Sequence, residues 1–213
     1  MLVSKYKAIL FDFDETLVKS FEILKEKHKH AAKKFYNITL TEETIRKYWG
    51  LPFEKMITYF YEERDTVENL AANYYSLDSD YKKIPHEDTV RVLNYLHKNK
   101  YILGIVTSMS IKSVIKDMKE MGFSDGTFDF FQGSQETKHH KPDPRVFDNI
   151  IKVLKKRGIK KEQILYVGDD IRDMQAAFGA GIGFVAVPNG LTTKNEFEKN
   201  GARCISSLSN LIV

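Results

Sequence analysis

The stretch that most constrains this chain is short: Ala8-Ile9-Leu10-Phe11 running into Asp12-Phe13-Asp14-Glu15-Thr16-Leu17. Four consecutive apolar residues read as a strand buried on both faces, the kind found in parallel sheets covered by helices. Two carboxylates stand where that strand should end. A strand's period of two sends Asp12 and Asp14 to one side and Phe11 and Phe13 to the other. Like charges this close repel, and one of them is normally protonated unless a cation lies between them. The stretch therefore asks for two things, a buried parallel sheet and a partner for its acids.

The second half of the chain supplies the sheet. From Pro85 onward strands and helices alternate. A helix through Val90, Leu93 and Leu96 leads into a strand over Tyr101 to Val106, and Ile111, Val114, Ile115 and Met118 then fall at helical spacing up to Gly122. A short apolar piece, Phe128 to Phe131, precedes a helix opened by Asp143-Pro144 and closed at Gly158. Strands over Ile164 to Val167 and Gly183 to Val187 flank a helix from Ile171 to Gly179. A helix near Lys194 to Lys199 and a strand Arg203 to Ile205 close the series. Such alternation gives an α/β fold, a Rossmann-like parallel sheet with helices on both faces.

Between the first strand and this series the character changes. Residues 18–84 are charged, aromatic and helix-rich, with Phe21, Leu24, His28, Ala31, Ala32 and Phe35 at helical spacing. Thr41 before Glu42-Glu43-Thr44 is a helix start, and Gly50-Leu51-Pro52 a stop. Further helices are expected over Phe53 to Tyr61 and Val67 to Leu77. The expected organisation is a core of residues 1–17 and 85–213 with a helical insert, of four helices, over 18–84.

Parallel sheets bind ligands beyond the carboxyl ends of their strands, so the residues that follow each strand carry the chemistry. They are Asp12 and Asp14, Thr107-Ser108, Lys141 ahead of Pro142-Asp143-Pro144, and Gly168-Asp169-Asp170 with Asp173 one turn on. Singly, each has an ordinary explanation: Thr107 or Ser108 caps a helix, Lys141 is solvated, Asp169 or Asp170 caps the next helix. Together, four strand ends carrying acids, hydroxyls, a lysine and more acids describe a site. The single cysteine, Cys204, excludes a Cys-based metal cluster and suits a reducing cytoplasm. A hard-oxygen donor set suits Mg²⁺, and phosphoryl transfer asks for metal, lysine and hydrogen-bond donors in such a place. One carboxylate can attack phosphorus, and a second can protonate the leaving oxygen and then activate water.

Composition narrows the partners. With 33 basic and 29 acidic residues in 213, the net charge of +4 is mild and mixed, which gives nucleic-acid binding little support. No window is long enough to span a bilayer, and the first residues lack a secretion signal's apolar stretch. The expectation is a cytoplasmic protein, monomer or homodimer, whose partner is a small phosphorylated metabolite.

The motifs Asp12-Phe13-Asp14-Glu15-Thr16, Thr107-Ser108, Lys141-Pro142-Asp143-Pro144 and Gly168-Asp169-Asp170-Ile171-Arg172-Asp173 resemble the haloacid dehalogenase superfamily, in its phosphoglycolate-phosphatase-like branch with a helical cap. The following Ala176-Ala177-Phe178-Gly179-Ala180-Gly181 fits the same pattern, and the similarity covers essentially the whole chain. The resemblance implies Asp12 as nucleophile and Asp14 as general acid/base. It implies Mg²⁺ ligation by Asp12, the backbone carbonyl of Asp14, and Asp169, with Asp173 orienting that shell. Thr107, Ser108 and Lys141 would hold the phosphoryl oxygens. The insert would be the cap, and Arg46, Lys47 and Tyr48, before the Gly50 turn, the candidates for substrate contact. Asp14 favours phosphatase or phosphomutase, since the family's dehalogenases and phosphonatases lack an acid there. Leu24 and Phe53 stand where sugar-phosphate mutases resembling β-phosphoglucomutase usually carry histidine and arginine, which argues against that alternative. A catalytically idle binding module is the other alternative, and the intact acids oppose it.

The pattern also departs from the family. Glu15 replaces a common glycine, Lys19 a usual aspartate, and Pro85-His86-Glu87 a usual Pro-Gly. Glu15 and Lys19, four apart, are placed to pair if the chain is helical there, for a gain of about 0.3–0.5 kcal/mol. His28 and His30, two apart on a helix, make a poor metal pair, and Lys25, Lys27, Lys29, Lys33 and Lys34 are expected to form a solvated face.

Overall fold

The computed structural model describes residues 1–124 and 126–213. Strand β1 (Ala8–Phe11) is followed by the short β2 (Val18–Lys19), then by helices α1 (Phe21–Tyr36), α2 (Glu42–Tyr48), α3 (Phe53–Phe60) and α4 (Val67–Tyr75). After β3 (Ile84–Pro85) come α5 (Thr89–Lys98), β4 (Ile102–Val106), α6 (Ile111–Glu120), β5 (Phe130–Gln132), α7 (Asp148–Lys156), β6 (Ile164–Gly168), α8 (Ile171–Ala180), β7 (Gly183–Ala186), α9 (Lys194–Lys199) and β8 (Arg203–Cys204). The chain divides into two units, Met1–Lys19 with Ile84–Val213, and Ser20–Lys83.

In the first unit six strands form one parallel sheet in the order β5-β4-β1-β6-β7-β8. All four residues of β1 are buried, as a run without polar alternation requires. Ile9, Phe11 and Phe13 join one apolar layer, with Val92, Leu96 and Val114 from the helices of that face. Ala8 and Leu10 join the other, with Phe147, Leu154, Met174 and Phe197. The period of two that separates Asp12 from its phenylalanine neighbours is therefore the sheet's own. From β1 the sheet order runs to β4 on one side and to β6 on the other, with Phe11 level with Ile105 and Val167. Strand direction and this switch point put the chain segments after β1, β4 and β6 at one edge.

Element edges differ from the sequence expectation by a residue or two, and one element changes type. The helix opened by Asp143-Pro144 begins as a 3-10 turn over Pro144–Phe147 before α7, with the Asp143 side chain accepting from the Arg145 amide at 2.9 Å. The segment after Asp14 is not helical at Lys19, which lies in β2, paired antiparallel with β3, and whose ammonium sits 4.0 Å from Glu87.

The Ser20–Lys83 unit is built on Ala31, Ala32, Ile45, Ile57, Phe60 and Leu70 from all four of its α-helices, with Tyr61 just past α3. Thr41 and Thr66 cap α2 and α4 by accepting from the amides of Thr44 and Asn69. The solvated lysine face needs correction at one position. Lys27 is buried, ion-paired with Asp78, its ammonium 3.7 Å from the centre of the Tyr74 ring. His28 is fully buried beside it, stacked on Tyr74 with its Nδ1 2.9 Å from the Tyr61 hydroxyl. Among the described residues no helix is long and apolar enough to cross a membrane.

Candidate active site

Asp12, Asp169 and Asp173 come together although 157 and 161 residues separate the latter two from the first; one carboxylate oxygen of each lies within 4.8 Å of the others, and all three residues are buried. Asp12 follows β1 directly and Asp169 follows β6, so parallel pairing of those strands makes them neighbours. Asp173 enters from the first turn of α8. Lys141, from the segment before α7, places its ammonium 3.0 Å from Asp12 Oδ1 and 2.6 Å from Asp173 Oδ1. One buried cation thus faces three buried carboxylates.

The charge imbalance shows in the proton affinities. Burial pushes the Asp12 carboxyl up to about 7; Lys141 opposes this, while Asp173 and Asp14 add to it. Asp169 is raised well above the carboxylate range by burial and by the neighbouring acids. Lys141 goes the other way from a lone buried lysine: burial would lower it, but Asp12 and Asp173 outweigh burial and raise it. A divalent cation ligated by hard oxygens is what such a set of acids accepts in place of protons. The residues present fit that group.

The two oxygens of Asp173 are already occupied. Oδ1 takes Lys141, with the Tyr166 hydroxyl oxygen 3.2 Å away, and Oδ2 accepts from the Asp170 amide at 3.2 Å. Its geometry suits orienting the site rather than ligating directly. Asp169 accepts from Thr16 Oγ1 at 3.2 Å through Oδ1. Its Oδ2 lies so close to Gly190 that an added Cβ would stand 2.0 Å away. That loop position needs glycine for space. Asp170 serves the ordinary purpose: its side chain caps α8 through the Arg172 amide at 2.8 Å and holds the Arg172 guanidinium at 2.8 Å, which keeps its carboxyl low despite burial.

The other expected residues divide. Thr107 is buried just past β4, its Oγ1 accepting from the Met109 amide at 3.2 Å, while Ser108 is exposed. Neither caps α6, because Ser110 does, accepting from the Ser113 amide at 3.2 Å. That removes the ordinary explanation for both hydroxyls. Asp14 is half-buried and is not one of the three clustered carboxylates. Arg46, Lys47 and Tyr48 end α2 in the other unit, where Tyr48 stacks on Tyr59 with centroids 4.3 Å apart and Lys47 lies over the Tyr48 ring.

Sequence reasoning missed Tyr166. It sits in the middle of β6, fully buried, donating to the Val106 carbonyl at 2.8 Å and contacting Lys141 Nζ at 3.1 Å. Its only signal in the sequence was a hydroxyl within an otherwise aliphatic strand. Nothing in the sequence marks Thr16 or Gly190 as a neighbour of Asp169, because that contact is made only when the segments after β1 and β7 fold against the end of β6.

A family model for haloacid dehalogenase-like hydrolases matches residues 9–187, which takes in Asp12, Lys141, Tyr166, Asp169 and Asp173. The chain belongs to that family of hydrolases. Among curated relatives, the Clostridium perfringens protein that carries the PpaX name is 28% identical over 180 residues, 82% of this chain and 80% of that protein. Pyrophosphatase PpaX of Halalkalibacterium halodurans is 26% identical over 177 residues, 82% and 80% of the two chains. Among solved structures, a haloacid dehalogenase-like chain from Bacteroides fragilis is 28% identical with a TM-score of 0.81, covering 97% of this chain and 99% of that one.

Proposed function

We propose that this hydrolase is a Mg²⁺-dependent phosphatase that acts on a small phosphorylated metabolite through an aspartyl-phosphate on Asp12. The observation that carries the reading is the imbalance of charge, three buried carboxylates against one buried ammonium beside the carboxyl ends of β1 and β6. Asp12 and Asp169 would hold the cation, which when bound supplies the positive charge that lets a phosphoryl group approach so many acids.

The chain's own residues do the rest. An oxygen of Asp12 attacks phosphorus as the ester oxygen leaves, and Asp14 delivers a proton to that oxygen. Asp14 then takes a proton from the water that attacks the aspartyl-phosphate, freeing inorganic phosphate and restoring Asp12. Lys141, fixed by Asp173 and Tyr166, is held against the nucleophile, where it offsets charge on the transferred group; Thr107 and Ser108 offer hydroxyls to its oxygens. The names of the PpaX relatives make pyrophosphate the first compound to try, beside phosphoglycolate and sugar phosphates.

The test is a panel of these compounds with and without Mg²⁺, read as released phosphate. Metal-dependent release from at least one supports the proposal. No release from any, or a sugar phosphate isomerised with a bisphosphate activator and little free phosphate, would overturn it.

A further inference from the structure

Glu15, directly after Asp14, has φ +54°, in the left-handed region that favours glycine. A residue with a side chain stays there only where its surroundings hold it. Its amide donates to the Val18 carbonyl at 2.8 Å within the turn, and two side chains from distant parts of the same unit converge on its carbonyl oxygen. His86 Nε2 lies 3.2 Å from that oxygen, and Asn189 Nδ2 donates to it at 3.1 Å. The two nitrogens are themselves 3.4 Å apart, both turned onto one acceptor, which assigns the imidazole proton to Nε2. Burial lowers the pKa of His86, which favours the neutral ring.

Each holder is anchored in turn. His86 follows β3 directly, and its amide donates to the Leu17 carbonyl at 3.1 Å, which also accepts from Thr89 Oγ1 at 2.8 Å. Asn189 sits between Val187, whose amide donates to Gly168 at 2.9 Å, and Gly190, which packs on Asp169. The clamp thus ties the turn carrying Asp14 to the loop that backs Asp169.

We infer that His86 and Asn189 are positioning residues: they hold Glu15 in its left-handed turn and thereby set Asp14 relative to Asp12 and Asp169. Neither is a catalytic residue, since both act through the Glu15 carbonyl. The inference rests on the role of Asp14 in the function proposed above, but the clamp itself does not.

The experiment is a double-mutant cycle. His86→Ala and Asn189→Ala are each made in the wild-type chain and in Glu15→Gly, because glycine adopts the turn without being held. In the wild-type background His86→Ala is expected to lower kcat about tenfold with KM changed less than about twofold, as a misplaced proton donor should. In the Glu15→Gly background the same change should cost less than about twofold. In the wild-type background His86→Gln, which retains an amide donor, should recover part of the loss. The four proteins of each cycle are also melted, and the drop in melting temperature caused by His86→Ala should shrink in the Glu15→Gly background. Equal losses in both backgrounds, in kcat and in melting temperature, would overturn the clamp. If the wild type hydrolyses no phosphate ester, the phosphatase reading fails on that result, while the melting cycle still decides the clamp.

Discussion

The two units bury charge in different ways. In the Ser20–Lys83 unit the buried ammonium of Lys27 meets one carboxylate, Asp78, and one ring face, Tyr74, and the buried imidazole of His28 is neutral against Tyr61. Charge there is matched one for one. In the sheet unit three carboxylates share one lysine, and the protons that would relieve them are bound with raised affinity. Burial of charge alone therefore does not mark a site, since matched pairs serve packing. An excess of buried acids, left to a proton or a further cation, does.

The comparison breaks most visibly if the unmatched acids are dispensable. Asp12→Asn should lower turnover by at least about 10³-fold, because it removes the proposed nucleophile. It should leave the melting temperature unchanged or higher, since one of three repelling acids is gone. Near-normal turnover would contradict the covalent mechanism. Lys141→Met should lower kcat by about 10²-fold and also lower the melting temperature, because it leaves Asp12 and Asp173 facing each other without their shared ammonium.

The matched unit should respond to pH and charge through stability instead. Burial, with the nearby charge of Lys27, pushes His28 down to about 3. In the unfolded chain it titrates near 6.5, so between these values the unfolded state binds the extra proton and stability falls as pH falls. By pH 5 the loss should reach about 2 kcal/mol, read as hydrogen exchange of the α1 amides, and His28→Gln should flatten the slope. Smallest is Lys27→Met. Asp78 keeps access to water, so stability should shift by no more than about 1–2 kcal/mol in urea unfolding, with kcat within about twofold of wild type.

What the sequence made legible follows the same division. Asp12 and Asp169 directly follow β1 and β6, while Asp173 lies one turn into α8 and Lys141 in the loop before α7, and a parallel sheet turns sequence order into spatial order. Their convergence is thus visible before any coordinates. Tyr166 was not visible, because a tyrosine within β6 looks like core until the Val106 carbonyl and Lys141 are placed beside its hydroxyl. The burial of Lys27 depends on Asp78, fifty-one residues away, and no helical spacing reports that. Glu15 is the sharpest case. Residue type argues against a left-handed turn at that position, and what holds it shows only in the structure: its amide donates to the Val18 carbonyl at 2.8 Å and its carbonyl meets His86 and Asn189.

Under the proposed mechanism Asp12 is phosphorylated during turnover. Acid-quenching the enzyme with excess substrate and Mg²⁺, then weighing its peptides, should show the peptide holding Asp12 heavier by one phosphoryl group, and Asp12→Asn should show no such species. Full turnover in the same reaction with that peptide unmodified, or with the added mass on another peptide, would contradict the claim.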